Sequence, residues 1–215
     1  MDIKAFIFDM DGLLFDSERI VQRSWEIAGD ELGIPHMEDV IYHTLGMNRA
    51  GRNEYFRKYI REDFPFEEFG RLTRDNFWRI VDKEGLPLKK GVKELLAYGK
   101  EQGYKMAVAT SSSREYAMGN LIRAGIDPYF DSVICGDMVK KAKPDPEIYQ
   151  KASESLRIPP EYCMAFEDAP GGILSAHQAG MKVIMVPDLV QPTQEIRELT
   201  YRVCDSLADV IGILN

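Results

Sequence analysis

The sequence predicts an α/β protein, a doubly wound parallel sheet with a helical domain inserted after its first strand. Three observations carry that prediction. Short apolar runs rich in β-branched and aromatic residues recur at Ile3–Phe8, Met106–Ala109, Val133–Ile134, Cys163–Phe166 and Val183–Val186. Between the later runs lie segments of helical length, at about 91–102, 114–124, 146–156 and 171–179. Strands that alternate with helices form a parallel sheet covered on both faces, and ligands bind beyond the carboxyl ends of its strands. The third observation is the stretch from 17 to 86, which has helical patterns and aromatic anchors (Trp25, Tyr55, Phe56, Tyr59, Phe77, Trp78) but no convincing strand. It is too long for a simple crossover. We therefore expect an α/β domain of residues 1–16 and 87–215 and a helical domain of residues 17–86. Pro35 and Pro65 punctuate the latter's helices.

Composition limits the function. The 215 residues are 45% hydrophobic and 29% charged, an ordinary globular balance. A net charge of −8 argues against a broad nucleic-acid surface, which needs clustered Lys and Arg. Cys135, Cys163 and Cys204 lack CxxC spacing and read as reduced thiols of a cytoplasmic protein. No basic segment precedes an apolar run with a cleavage site, and the longest apolar runs are strand-sized, so neither a leader nor a membrane partner is expected. A monomer is expected.

The polar residues worth attention all follow predicted strands. Asp9 and Asp11 close the first; residues i and i+2 of an extended chain project to one side, and Gly12 lets the chain turn away. Two neighbouring carboxylates repel unless one is protonated or a cation neutralises them, and Mg²⁺ prefers such hard oxygen donors. Thr110, with Ser111 and Ser112, ends the second strand and leads into a helix, where hydroxyls and unpaired N–H groups bind phosphate. Lys143 stands before Pro144-Asp145-Pro146, and Glu167-Asp168 end a later strand. Each alone has a plain explanation: turn-capping aspartates, a helix N-cap, a surface lysine, helix-start acids. Two acid pairs, a hydroxyl and a lysine on one rim are not a common accident.

This ordered set, DxDG, an apolar run ending in Thr, KP and ED, resembles the four motifs of the haloacid dehalogenase (HAD) superfamily across the whole chain. DMDGLLFDSE, KPDPE and FEDAPGGI are most similar to its β-phosphoglucomutase-like and sugar-phosphatase-like branch. The resemblance implies a Rossmann-like core with a helical cap. It implies a Mg²⁺-dependent phosphatase of a small phosphorylated metabolite, such as a sugar phosphate. Asp9 would be the nucleophile and Asp11 the general acid/base, with Thr110 and Lys143 on the phosphoryl oxygens. Mg²⁺ would be held by Asp9, the backbone carbonyl of Asp11, Glu167 and Asp168. The cap would act as a lid, and Arg49 in Gly46-Met47-Asn48-Arg49 would bind substrate.

Fold alone does not fix the reaction. A dehalogenase has no use for the acid/base Asp11, and a phosphonatase needs a lid lysine, for which the insert offers only Lys58 and Lys83. A β-phosphoglucomutase-type mutase is the nearest rival, but such mutases carry a lid histidine where Val21 stands here. A non-catalytic phospho-ligand-binding module is a further alternative, opposed by the intact acid and lysine set. His36, His43 and His177 are read as structural.

Overall fold

The core sheet holds six parallel strands: β1 (Ala5–Phe8), β2 (Lys105–Ala109), β3 (Ser132–Ile134), β4 (Cys163–Glu167), β5 (Lys182–Met185) and β6 (Arg202–Val203), in the order β3-β2-β1-β4-β5-β6. The computed structural model describes residues 2–44 and 49–214, excluding the side chains of residues 49 and 50. The chain forms two compact units, Met1–Asp16 with Pro87–Asn215, and Ser17–Leu86.

The second unit contains α1 (Ser17–Glu31), α2 (Met37–Thr44), α3 (Arg49–Tyr59) and α4 (Phe66–Glu84). Its core is aromatic. Trp25 meets Phe56 and Phe69 edge-on at 5.7 and 5.5 Å, and Phe64 packs on Phe56 at 4.7 Å. Two expected anchors lie elsewhere: Tyr59 and Trp78 are 60% and 43% exposed. Tyr59 is the last residue of α3, and helical periodicity accounts for Trp78. On α4, Asn76 and Ile80 are buried and Trp78 lies between them.

In the first unit the sheet is flanked by α5 (Val92–Glu101), α6 (Arg114–Ala124), α7 (Glu147–Leu156), α8 (Pro170–Gln178), α9 (Gln194–Leu199) and α10 (Leu207–Leu214). The reading of the sequence had not marked β6, α9 or α10. Strands buried on both faces need no polar alternation, and β1 and β4 are buried at every residue. Alternate side chains still serve different faces. Ala5, Ile7, Ala107 and Ala165 are small or slim and accept α7 closely, with Ile148, Tyr149 and Ala152 in the same cluster. Phe6, Phe8 and Phe166 turn the other way and stack together, Phe8 on Phe166 at 4.7 Å. α5 packs on that side against β2 and α10. No helix among the described residues is long and apolar enough to cross a membrane.

Leu96 of α5 is fully buried, whereas Ile122 of α6 is 58% exposed. Leu96→Ala should lower unfolding free energy by about 2–5 kcal/mol. Ile122→Ala should change it by no more than about 0.5 kcal/mol. Urea denaturation of both variants checks the assignment.

Candidate active site

The strand order reverses direction on either side of β1, and that switch point is where an open parallel sheet places its site. Register does the positioning. Phe8 pairs with Val108 on one side and Phe166 on the other. Asp9 and Glu167 just beyond, and Thr110 one residue further along from Ala109, therefore lie at the same edge of the sheet. Backbone bonds continue the ladder there: Asp9 N–H donates to Phe166 O (3.0 Å) and Thr110 N–H to Ile134 O (3.0 Å).

Lys143 reaches this edge from the loop before α7, its peptide to Pro144 being cis. Its ammonium donates to Asp9 Oδ1 (2.5 Å), Glu167 Oε1 (2.6 Å) and Ala109 O (3.0 Å). The loop is held by Glu147, whose Oε2 accepts the N–H groups of Lys140 (3.0 Å) and Lys141 (2.9 Å). Ser175 of α8 also donates to Asp145 O at 2.6 Å. Burial by itself would lower the lysine's pKa, but the adjoining Asp9 and Glu167 carboxylates hold it above the ordinary value.

The acids outnumber this one cation. Ligand oxygens of Asp9, Glu167 and Asp168 lie within 4.8 Å of one another. Burial pushes Asp9 up to about 7 against the pull of Lys143, with Glu167 adding to the rise. Asp168 is raised well above the usual carboxylate range by burial and by the charges of Asp9 and Glu167. Two buried carboxylates and a half-buried third, with one ammonium among them, form a hard-oxygen donor set with uncompensated negative charge. A small divalent cation such as Mg²⁺ fits that set.

Close approach leaves no room for side chains at two glycines. Gly12 has φ +86°, and a Cβ there would collide with the Asp168 carboxylate. A Cβ on Gly172 of α8 would overlap the carboxylate of Glu167. The helix thereby lies directly against that acid.

The other expected residues divide. Thr110 is buried, and its Oγ1 accepts the Ser112 N–H at 3.1 Å. Asp11 does not join the acid cluster through its side chain. Its carboxylate instead accepts the Ser112 hydroxyl (2.7 Å) and the Tyr116 phenol (3.1 Å). Ser111 is exposed, and Ser113, the neighbouring hydroxyl, caps α6 through the Tyr116 N–H. The side chain of Arg49, and Gly46, Met47 and Asn48 before it, lie outside the described residues. His36, Glu38 and Asp39 also bring ligand atoms within 4.8 Å, but His36 and Asp39 are exposed and His36 already pairs with Glu38 at 3.7 Å.

Three residues escaped the reading of the sequence. Tyr149 is fully buried and donates its phenol to Glu167 Oε1 at 2.6 Å, its pKa raised well above the ordinary value by burial and by that carboxylate. Its only signal was an inward register on α7, indistinguishable from a core aromatic. Asp188 follows β5 and pairs with Lys89 at 2.6 Å, adding to the negative field at Asp168. A strand-end acid was the available signal there. Tyr116 carried no motif.

The model of the haloacid dehalogenase-like hydrolase family matches residues 6–186. The chain belongs to that family. A relative, the phosphorylated carbohydrates phosphatase of Thermotoga maritima, is 32% identical over 182 residues, covering 85% of this chain and 84% of its own. A Thermotoga maritima structure provisionally described as a β-phosphoglucomutase is 28% identical with a TM-score of 0.83, covering 99% and 98% of the two chains. CbbY of Rhodobacter sphaeroides, solved with phosphate, is 28% identical with a TM-score of 0.74 over 97% and 96%. The family match agrees with the Rossmann-like parallel sheet; the site's chemistry comes from the residues above.

The raised Asp9 pKa has a consequence for stability. The folded, metal-free chain holds a proton there that the unfolded chain gives up. Its stabilisation is complete below about pH 4 and is lost as pH rises through about 7. In EDTA at pH 8, Asp9→Asn should therefore raise the thermal midpoint and flatten its pH profile. An unchanged profile would refute the charge imbalance. Mg²⁺ should raise the midpoint of the wild-type chain and do so far less for Asp168→Asn.

Proposed function

We propose that this hydrolase is a Mg²⁺-dependent phosphatase of small phosphorylated metabolites, a sugar phosphate being the favoured class, working through an aspartyl phosphate. The observation that carries the reading is the buried contact of Lys143 with both Asp9 and Glu167 at the carboxyl edge of β1. The name of the T. maritima relative, a phosphatase of phosphorylated carbohydrates, supports the substrate class.

Each residue has a part that follows from its surroundings. Asp9 offers an oxygen at the strand end, fixed by the β1–β4 ladder, to form the bond to phosphorus. Lys143, charged across the neutral range, spreads negative charge between Asp9 and the transferring oxygens. Thr110 contributes a hydroxyl and the turn before α6 contributes N–H groups for the same oxygens. Asp11 is held by Ser112 and Tyr116 apart from the acid cluster. There it can give a proton to the leaving oxygen as the P–O bond breaks, then take one from the water that attacks the aspartyl phosphate. Bound through Asp9, Asp168 and the carbonyl of Asp11, the metal ion would neutralise the phosphoryl oxygens. Glu167 has a further part beside the ligand role expected of it. Its Oε1 is taken by Lys143 and Tyr149 and its Oε2 lies 3.2 Å from the Asp168 N–H, so it orients Lys143 and the loop bearing Asp168. The helical unit, residues 17–86, would supply the groups that read the leaving molecule.

p-Nitrophenyl phosphate should be hydrolysed with Mg²⁺ and not in EDTA. Asp9→Asn should lose more than about a thousandfold in kcat with the fold retained by circular dichroism. Near wild-type turnover would remove Asp9 as nucleophile. Incubation of β-glucose 1-phosphate with a trace of the 1,6-bisphosphate separates hydrolase from mutase. Free phosphate is expected, and glucose 6-phosphate without it would establish the mutase.

A further inference from the structure

The three protons of the Lys143 ammonium are all committed, to Asp9 Oδ1, Glu167 Oε1 and Ala109 O. The Tyr149 hydroxyl is a more distant neighbour of the ammonium at 3.5 Å, and its own proton goes to Glu167 Oε1 at 2.6 Å. Lys143 therefore has no spare donor. A phosphoryl oxygen can be bound by it only if one of those acceptors gives up its bond.

The acceptors differ in what such a loss would leave behind. Among the described residues only Glu167 Oε1 has a second side-chain donor, the phenol of Tyr149. Glu167 is buried, and a carboxylate oxygen left there without a donor would forfeit a charge-assisted hydrogen bond. The phenol prevents that loss. Asp9 Oδ1 has no such substitute.

The phenol is also placed to stay when the ammonium moves. Tyr149 lies in the first turn of α7, which packs on β1, β2 and β3 over the small side chains of Ala107 and Ala165. Its ring is fully buried. The ammonium lies 5.0 Å from the ring centroid, so it can pivot beside an aromatic face that favours a cation. The Glu167 carboxylate cannot follow it. Its Oε2 accepts the Asp168 N–H at 3.2 Å, and α8 approaches it closely at Gly172.

We propose that Tyr149 is a positioning residue for phosphate capture. Its phenol keeps Glu167 Oε1 hydrogen-bonded while the Lys143 ammonium turns from that oxygen to one on phosphorus. The inference rests on the phosphatase reading only in assigning Lys143 to the phosphoryl oxygens. A phenylalanine at 149 would fill the same volume but leave the ammonium tied to Glu167.

Calorimetric titration of inorganic phosphate into the full chain at saturating Mg²⁺ tests this without turnover. Phenylalanine retains the ring and its packing, and circular dichroism checks that each variant is folded. Tyr149→Phe should weaken phosphate binding about tenfold, the loss expected for a charge-assisted bond. In a Glu167→Gln background the same change should cost less than about twofold, because a neutral amide holds the ammonium weakly and needs no replacement donor. kcat/KM for p-nitrophenyl phosphate should show the same coupling. A ring that serves packing alone would act equally in both backgrounds. Equal losses therefore overturn the proposal, as does phosphate binding by Tyr149→Phe at wild-type strength or no binding by the wild-type chain. The coupling seen in phosphate binding, without turnover of p-nitrophenyl phosphate, would remove the phosphatase reading and leave the role of Tyr149 standing.

Discussion

Everything at this site follows from a shortage of positive charge. Asp9, Glu167 and Asp168 are brought to one sheet edge with a single ammonium among them. Burying a carboxylate without a partner is so unfavourable that the group protonates or finds a cation. The protein does some of each. Lys143 satisfies one oxygen of Asp9 and one of Glu167, while Asp168 is left with its pKa far above normal. Under the proposed function a divalent ion would offset this imbalance and leave positive charge to share with a phosphoryl group. The imbalance also sets a stability penalty on the metal-free chain, so metal binding and folding are linked.

The sheet is what enforces the crowding. Parallel register gives Asp9 and Glu167 no freedom to separate, because each is one residue from a paired position and hydrogen-bonded through its backbone. Gly12 and Gly172 then remove the space into which either acid could retreat: the turn after β1 presses on Asp168 and the start of α8 presses on Glu167. Tyr149 seals the third side with its phenol. Like charges stay within reach of one ion because backbone, not side-chain preference, fixes their separation.

The fold was largely legible because its central strands are apolar on both faces and glycine stops several helices, as Gly85 does α4 and Gly125 does α6. Alternation of such elements has few solutions. The candidate site was legible for the same reason, since Asp9, Thr110, Lys143 and Glu167-Asp168 all follow strands, and strand ends of one parallel sheet meet. What escaped was anything dependent on side-chain direction. Glu167 and Asp168 look equivalent in sequence, yet one turns to Lys143 and Tyr149 while the other faces Gly12. Ser112 read as a phosphate donor and instead donates to Asp11. Tyr149 read as core. β6 is two residues long and α9 six, too short for periodicity to reveal.

Asp9 and Asp11 illustrate how neighbours in sequence acquire different chemistry. Alternation predicted that both would enter one acid cluster. The turn at Gly12 breaks the extended geometry immediately, and Leu14 and Phe15 both donate back to Met10 O. Asp9 is fixed against Lys143 in a buried contact, where the lysine opposes the rise that burial and Glu167 impose on its pKa. Asp11 is less buried and rests on two hydroxyl donors, Ser112 and Tyr116, which can exchange protons and partners without breaking an ion pair. In the proposed mechanism a nucleophile would use the first environment and a proton carrier the second. A single glycine turn separates the two environments, and the separation requires no difference in residue type.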